Sequence, residues 1–224
     1  MLSNFVPQLI SLLFSLPCVL IAITFHEVAH GYAANRLGDP TAAALGRLTL
    51  NPLKHLDPIG TICMLLFHFG WARPVPINTR YFKKPRRDMA IVALAGPLTN
   101  IALAFLGVLL YHIVGAIAAG WYMTSNSFAR TAVSLTVLFL NNFLRLNASF
   151  AIFNLIPIPP LDGSRLLSLI LPPKWAFKLI EYERWIALGM LVLLYIGVLD
   201  GPLSFLVNGL ISGMDFLISL IPFL

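Results

Sequence analysis

The sequence predicts an all-α integral membrane protein, a polytopic bundle of helices that cross the bilayer several times. Hydrophobic residues make up 58% of the 224 residues and charged residues only 11%, with a mean hydropathy of +0.86. Soluble domains carry about 25% charged residues. The apolar residues are also grouped into long runs, and about 20 of them suffice for a helix to span the bilayer. This composition excludes an ordinary soluble enzyme.

Five apolar runs are the candidates for membrane helices. Their ranges are 6–35, 89–119, 131–158, 185–199 and 203–223. Arg145 interrupts the third run, and we expect it to pair with a carboxylate or with backbone carbonyls, because an unpaired charge in a bilayer is costly. The turn signal DGP at 200–202 separates the last two runs. Cys18 and Cys63 lie in apolar surroundings without metal-binding spacing, which predicts small buried side chains.

The segment 58–70, PIGTICMLLFHFG, is short for a membrane crossing, and its length is typical of a re-entrant or interfacial segment. A full crossing is the alternative. The preceding stretch LGRLTLN, at 45–51, alternates in polarity and predicts a short β-strand near the membrane surface. The free edge of such a strand would be able to receive an extended polypeptide by β-addition.

The basic residues predict the orientation of the chain. Nine of the fifteen Lys and Arg residues lie between the first two apolar runs. They are Arg36, Arg47, Lys54, Arg73, Arg80, Lys83, Lys84, Arg86 and Arg87. Because basic loops stay cytoplasmic, a re-entrant segment at 58–70 places all nine on the cytoplasmic side. The FKKPRR run at 82–87 flanks a membrane helix, so we interpret it as a topology signal that contacts anionic lipid and not as a nucleic-acid site.

The first apolar run contains the motif His-Glu-Val-Ala-His at residues 26–30. His26 and His30 are four residues apart and therefore share one face of a helix. Two imidazoles at this spacing can bind one Zn²⁺, and the adjacent Glu27 can activate water. So short a motif also arises by chance. Its position at membrane depth favours a functional site, because ionisable residues there are costly and usually functional.

A catalytic zinc site normally has three protein ligands and an open fourth position, so a third ligand is expected elsewhere in the chain. The candidate is Asp162, in the stretch FNLIPIPPLDGSRLL at 153–167. The prolines of this stretch end the third helix. Unwound backbone at membrane depth is tolerated only where protein or a water-filled cavity satisfies it, so the break indicates a site. The alternative is that Asp162 caps a helix that starts near Ser164.

Three motifs together resemble the site-2 protease family of intramembrane zinc metalloproteases. They are HEVAH at 26–30, AGPLTN at 95–100 and N-x-x-P-x-x-x-L-D-G at 154–163. The resemblance covers about residues 20–170 and is to the small prokaryotic members without a PDZ domain. It implies a three-helix catalytic membrane core within 1–170, followed by C-terminal transmembrane helices within 171–224.

The resemblance also implies roles for particular residues. The implied ligands of one zinc ion per chain are His26, His30 and Asp162, the implied general base is Glu27, and the asparagines implied to line the site are Asn100 and Asn154. The implied substrate is a transmembrane segment of a membrane-tethered regulatory protein. Together with the basic loops, this places the protein in the cell membrane with its active site towards the cytoplasm.

The chemistry of the other motif residues allows two interpretations. Gly96-Pro97 permits a close approach or a bend, and Asn100 can donate a hydrogen bond to an extended substrate backbone. Asn154 can hold a developing oxyanion or orient a ligand. For both asparagines the alternative is polar packing between helices. The remaining histidines have no partner at ligand spacing and are predicted not to bind metal. They are His55, His68 and His112.

Two other functions are compatible with a membrane protein of this composition. A catalytically silent homologue would act as a membrane-bound binding or regulatory protein, but the intact ligand set argues against it. A metal transporter would use the histidines as a transit site. It would also need acidic or His-rich groups through several helices, and the motifs above supply only Glu27 and Asp162.

Overall fold

The structure is a computed structural model, and it describes residues 2–58, 60, 72–121 and 127–221. The helices are α1 (Leu2–Arg36), α2 (Thr41–Ala44), α3 (Pro85–Trp121), α4 (Ser127–Leu155), α5 (Gly163–Ile170), α6 (Pro173–Glu181), α7 (Glu183–Tyr195) and α8 (Asp200–Ser219). Two short 3-10 turns, Pro52–Lys54 and Thr79–Tyr81, lie between α2 and α3. The described residues contain no β-strand, and the all-α prediction is confirmed.

Four helices of the described chain are long and apolar enough to cross a membrane. Their spans are Leu13–Arg36, Pro85–Ala118, Ser127–Leu155 and Asp200–Ser219. They correspond to the predicted runs 6–35, 89–119, 131–158 and 203–223. The protein is therefore a multi-pass membrane protein built from α1, α3, α4 and α8.

The fifth predicted span, 185–199, is not a membrane crossing. It corresponds to α7, whose 13 residues extend about 20 Å, against about 30 Å for the hydrocarbon core. The direction of α8 gives an independent reason. Asp200, at the start of α8, lines the same cavity as Phe153 near the end of α4. The chain between α4 and α8 therefore returns to the end of the bundle from which it left.

The loops on either side of segment 58–70 lie at the same end of the bundle. Leu56 and Ala72 form an isolated antiparallel bridge, and the Arg73 N–H donates to the His55 carbonyl at 2.8 Å. A single full crossing would separate these partners by the thickness of the bilayer. The positions of the loops therefore agree with a re-entrant segment. Almost all of the segment itself lies outside the described residues.

The predicted edge strand at 45–51 is not formed. Most of this stretch is neither helical nor paired with another strand in the described structure. A side chain anchors it instead, because the buried Arg47 donates from its Nη2 to the carbonyls of Arg73 (2.8 Å) and Pro74 (3.3 Å). The alternating pattern therefore reflects one inward-facing arginine and not a sheet edge.

Arg145 has different partners from those predicted. Its Nη1 donates to the side-chain oxygen of Asn208 at 3.2 Å, and its Nε donates to that of Asn141 at 3.3 Å. The prediction of a carboxylate or a backbone carbonyl is wrong because α8 brings the neutral amide of Asn208 to the guanidinium. Arg145 is also exposed, and it lines a cavity of about 640 Å³ between α4 and α8.

Cys18 follows its prediction, whereas the absence of metal binding at the isolated histidines stays a prediction. Cys18 is buried and free. His55 and His112 bond to a backbone carbonyl and to a carboxylate, respectively, and neither belongs to a group of metal-ligand residues in the described chain. Cys63 and His68 lie outside the described residues.

Helix α8 packs against α3 and α4. It contributes Val207, Met214 and Ile218 to a buried cluster. The cluster members on α3 and α4 include Ala104 and Ala148, both with 0% of their surface exposed. Such small residues let the backbones of membrane helices approach closely. α8 therefore holds α3, which carries Gly96, and α4, which leads into the turn that carries Asp162.

The topology can be tested with single cysteines in a chain whose two native cysteines are replaced by serine. We expect cysteines at Lys54, Lys84 and Val198 to react with an impermeant maleimide from one face of the membrane, and a cysteine at Ser127 to react from the other. Sealed and inverted vesicles provide the two faces. Labelling of Lys54 and Lys84 from opposite faces would show a crossing between them, and labelling of Val198 from the Ser127 face would show that α7 spans the membrane.

Candidate metal centre

The two histidines of the HEVAH motif lie on one face of α1. His26 and His30 are buried, with 4% and 7% of their surface exposed, and their Nε2 atoms are 2.9 Å apart. The Asp162 Oδ2 atom lies 3.0 Å from the His26 Nε2 and 3.1 Å from the His30 Nε2. Three potential ligand atoms therefore converge on one point. This is the only such group among the described residues.

Asp162 reaches the histidines because the chain turns sharply after α4. The helix ends at Leu155, and the proline-rich residues 156–162 form bends and turns. A Cβ atom at Gly163 would lie 2.3 Å from the Leu155 carbonyl oxygen, so this tight return requires glycine. Asp162 directly precedes α5 but makes no capping hydrogen bond to it. The carboxylate faces the histidines, and the alternative that it caps this helix is wrong.

Gly96 lets α3 approach the two histidines. A Cβ atom at this position would lie 2.5 Å from the His30 Nε2 and 2.6 Å from the His26 Cε1. Cβ contacts under 3.0 Å essentially never occur, so any other residue would displace an imidazole. The glycine of the AGPLTN motif is therefore used for a close approach of backbone to the candidate ligands.

A chain of buried amides orients His26. Its Nδ1 atom lies 2.7 Å from the Asn100 Oδ1. The Asn100 Nδ2 donates to the Ala22 carbonyl (3.1 Å) and to the Asn147 Oδ1 (2.9 Å). The Asn147 Nδ2 in turn donates to the Phe143 carbonyl at 2.9 Å. Backbone carbonyls can only accept, so they determine the direction of every hydrogen bond in this chain. The His26 Nδ1 must therefore carry the proton.

His30 has the same tautomer for a simpler reason. Its Nδ1 atom lies 2.7 Å from the Val92 carbonyl oxygen, which can only accept. In the neutral form of both histidines the unprotonated nitrogen is therefore Nε2, and this atom faces the Asp162 carboxylate. Acceptors at Nδ1 are what fix the tautomer and the ring orientation of histidines that bind metals.

This donor set fits a tetrahedral zinc ion. Imidazole nitrogens and carboxylate oxygens bind zinc at about 2.0–2.2 Å, which separates tetrahedral ligands by about 3.3–3.5 Å. The three atoms here are 2.9, 3.0 and 3.1 Å apart, a few tenths of an ångström closer than tetrahedral ligands, so the donor types fit zinc and the atoms would have to separate slightly to bind it. Two nitrogen lone pairs and an anionic oxygen repel one another at such distances, and a cation relieves the repulsion. Three protein ligands leave one position of a tetrahedron for water or substrate.

Glu27 lies beside the ligand group and is held by a backbone donor. The Val75 N–H donates to the Glu27 Oε2 at 2.7 Å. The carbonyl of the same peptide group belongs to Pro74 and accepts from the buried Arg47. The extended loop that follows segment 58–70 therefore positions one oxygen of this carboxylate, and the other oxygen can face a water molecule.

The two predicted asparagines differ in their surroundings. Asn100 is completely buried and contacts His26, and both of its amide hydrogens are donated to other acceptors. Asn154 is half-buried near the end of α4, and its amide donates to the Phe150 carbonyl of the same helix at 3.0 Å. No hydrogen bond of Asn154 in the described structure reaches the ligand group, and its role in the site stays a prediction.

Sequence reasoning missed two contributors to the site, Asn147 and the Val75 N–H. Asn147 carried a signal, because a polar side chain in an apolar helix is costly at membrane depth. It also lies seven residues before Asn154, close to two helical turns, and therefore near the same face. The sequence around Val75 carried no such signal, since the contribution of Val75 comes from its backbone N–H and depends only on where the loop lies.

Comparison with known proteins decides the family. A model of peptidase family M50 matches residues 14–198, which is most of the chain and includes all three candidate ligands. The chain belongs to peptidase family M50. The predicted resemblance to site-2 proteases is thereby confirmed, and the family is one of metalloproteases.

The names of relatives agree with the assignment of this M50 protein to a metalloprotease family. It is 42% identical over 175 residues to "Putative zinc metalloprotease YwhC" of Bacillus subtilis, covering 78% of this chain and 77% of the relative. It is 32% identical over 181 residues to "Putative zinc metalloprotease Rip2" of Mycolicibacterium smegmatis, covering 78% of this chain and 64% of the relative. The Rip2 protein of Mycobacterium tuberculosis is 32% identical over 193 residues, with 81% and 66% covered. No solved structure matches the chain. Family and relatives support a zinc metalloprotease.

The close approach of α3 generates a first test of the site. We expect Gly96→Ala to weaken zinc binding at least tenfold, because the new methyl group would displace an imidazole and changes around zinc ligands typically cost about 10–100-fold in affinity. The matched control is Gly115→Ala in the same helix, where an added Cβ would meet nothing within 4 Å. Chelator competition on the purified variants measures the affinity. Equal affinities would contradict the contact.

The amide chain generates a second test. We expect Asn147→Leu, which removes an acceptor from Asn100, to weaken zinc binding about tenfold or more by releasing the orientation of His26. Asn142→Leu is the matched control, because the Asn142 amide only donates to the Leu138 carbonyl of its own helix. The visible spectrum of the cobalt-substituted protein reports ligand geometry directly. A normal spectrum and normal affinity in Asn147→Leu would show that the amide chain does not orient the ligand.

Proposed function

We propose that this M50 protein is an intramembrane zinc metalloendopeptidase of the site-2 protease type. The observation that carries the proposal is the convergence of His26, His30 and Asp162 beside Glu27, at a helix that is apolar enough to span the bilayer. His26 lies ten residues before the end of α1, or about 15 Å along the helix axis. The reacting groups would therefore lie below the membrane surface, within reach of a membrane-embedded polypeptide.

The proposed substrates are transmembrane segments of membrane-tethered proteins, with regulatory proteins favoured by the family resemblance. A helical segment hides its carbonyls in backbone hydrogen bonds, so it must unwind locally before a peptide bond is exposed to attack. The edge strand that was predicted to receive it at 45–51 is not formed, and this route of β-addition is not part of the proposal.

His26, His30 and Asp162 would hold the zinc ion. When bound, zinc supplies Lewis acidity, which polarises the scissile carbonyl and acidifies water. The chain itself prepares this site through the Nδ1 hydrogen bonds of both histidines, to Asn100 and to the Val92 carbonyl, which orient the rings so that both Nε2 atoms point to one place.

Glu27 is the proposed general base and acid. The Val75 N–H donates to its Oε2 and fixes the position of this oxygen, and the carboxylate would accept a proton from water. Glu27 would then deliver this proton to the leaving amine when the peptide bond breaks. Asn154 is the candidate for contact with substrate at the end of α4, and Asn100 is proposed to act through His26.

The proposed orientation places the site towards the cytoplasm. Arg36 ends α1 and Pro85 begins α3, so the nine basic residues of the loops between them and of the adjoining helix ends lie at the end of the bundle nearest the ligands. Basic loops remain cytoplasmic in membrane proteins. A cell-membrane location with the catalytic groups on the inner side follows from this charge distribution.

The function is tested by separating metal binding from hydrolysis. We expect Glu27→Gln to retain zinc but to lose cleavage of transmembrane substrates by a factor of about 10² or more, the usual scale of general-base catalysis. His30→Ala should lose both zinc and activity. Glu181→Gln, with the same charge change on an exposed residue of α6, is the control. Metal analysis and a panel of candidate membrane substrates provide the readouts. Near-normal turnover by Glu27→Gln would refute its role.

A further inference from the structure

A cavity with a basic lining lies beside Glu27, and we term it the basic pocket. Its volume is about 430 Å³. Its lining includes the basic residues Arg47, Lys54 and Arg73 and the apolar residues Leu45, Leu53 and Pro74. None of the lining residues is acidic. Within the part of the chain that the structure describes, no carboxylate forms an ion pair with these three basic groups, so the pocket is positively charged.

Arg47 is the buried member of the basic pocket. Only 8% of its surface is exposed, and its Nε atom is buried without a hydrogen-bond partner in the described structure. Burial lowers the pKa of its guanidinium, Arg73 lowers this pKa further, and Glu27 opposes the change. A buried cation beside a like charge, with a donor unused, is stabilised when an anion binds.

The position of the basic pocket relates it to the reaction. The Pro74–Val75 peptide group is shared between the pocket and the general base, since its carbonyl accepts from Arg47 at 3.3 Å and its N–H donates to Glu27 at 2.7 Å. A group bound against Pro74 is therefore separated from the catalytic carboxylate by one peptide group. The C=O and N–H of a trans peptide group point in opposite directions, so the pocket and Glu27 lie on opposite sides of this chain segment. A polypeptide that crosses the segment beside Glu27 would reach the pocket within a few residues.

We propose that the basic pocket is a specificity subsite, which binds an Asp or Glu side chain of the protein substrate close to the bond that is cut. This inference rests on the proposed protease function. Exposed leucines, Leu45 at 63% and Leu53 at 74%, flank the three basic groups and suit apolar residues on either side of the acidic one. The phosphate group of an anionic lipid has related chemistry, and binding to anionic vesicles separates it from an acidic side chain in the test.

The test measures binding without hydrolysis. The protein is the zinc-loaded full chain with Glu27→Gln, in nanodiscs of neutral phosphatidylcholine. The probes are short rhodamine-labelled Ala/Thr/Val peptides in which a single Glu is moved along the sequence, each paired with the corresponding Gln peptide. We expect the best Glu peptide to bind about tenfold more tightly than its Gln partner, which corresponds to about 1.4 kcal/mol. The preference should fall as salt is raised.

Matched variants locate the preference. We expect Lys54→Gln and Arg73→Gln to reduce it several-fold, while Arg80→Gln, which removes an exposed positive charge from the same loop region outside the pocket lining, retains it. Lys54 and Arg73 are exposed, so these variants should fold and keep their zinc, which metal analysis checks.

The peptide and vesicle measurements together decide between a subsite, diffuse attraction and a lipid site. Equal binding of Glu and Gln peptides would overturn it, and an equal loss in Arg80→Gln would show diffuse attraction and overturn it as well. Lower affinity of the pocket variants for phosphatidylglycerol vesicles, with an unchanged peptide preference, would make the pocket a lipid site. If membrane substrates are cleaved but Glu peptides bind no better than Gln peptides, the subsite proposal is refuted and the protease proposal stands. A Glu preference that depends on the pocket, without cleavage of any membrane substrate, refutes the protease proposal and leaves an acidic-peptide site.

Discussion

The convergence of three ligand atoms beside α3 is the constraint on which the rest of the structure depends. Two imidazole nitrogens and one carboxylate oxygen lie 2.9–3.1 Å from one another, an arrangement that is repulsive unless a cation lies between them. Each neighbouring element then has one strict requirement. α3 needs Gly96 to approach the imidazoles, and the chain after α4 needs Gly163 to turn Asp162 back towards them.

The polar groups inside the bundle serve this site and satisfy one another. A buried polar group without a partner costs about 1–3 kcal/mol in proteins, and lipid offers no water to replace the partner. The chain of hydrogen bonds from His26 through Asn100 and Asn147 ends on the Phe143 carbonyl of α4. The same bonds that make these asparagines tolerable at membrane depth also set the tautomer of the ligand. The hydrogen bonds to Asn147 of α4 therefore contribute both to the stability of the bundle and to the orientation of the candidate metal ligand His26.

The loop at 72–78 couples the site to the membrane surface. Its middle contacts Glu27 and Arg47, and its end is held by the buried Asp39, which accepts from the Asn78 N–H at 2.6 Å. Burial alone would raise the pKa of the Asp39 carboxyl, but hydrogen bonds from neighbouring donors lower it. Its contribution to stability is present above its unfolded pKa and is lost as the pH falls through the lowered value. The loop that holds Glu27 therefore keeps this support at neutral pH.

Local spacing by itself determined the four long membrane helices, the shared face of His26 and His30, and the break after α4, because each follows from the period and length of a helix or from proline. Only the tertiary structure decided which distant groups meet. Asp162 lies 132 residues after His30, and Asn147 reaches the site through a second amide. It also decided that 185–199 does not cross the membrane and that 45–51 forms no strand. Such contacts depend on how helices pack and where loops return, and neither leaves a periodic signal in the residues that make them.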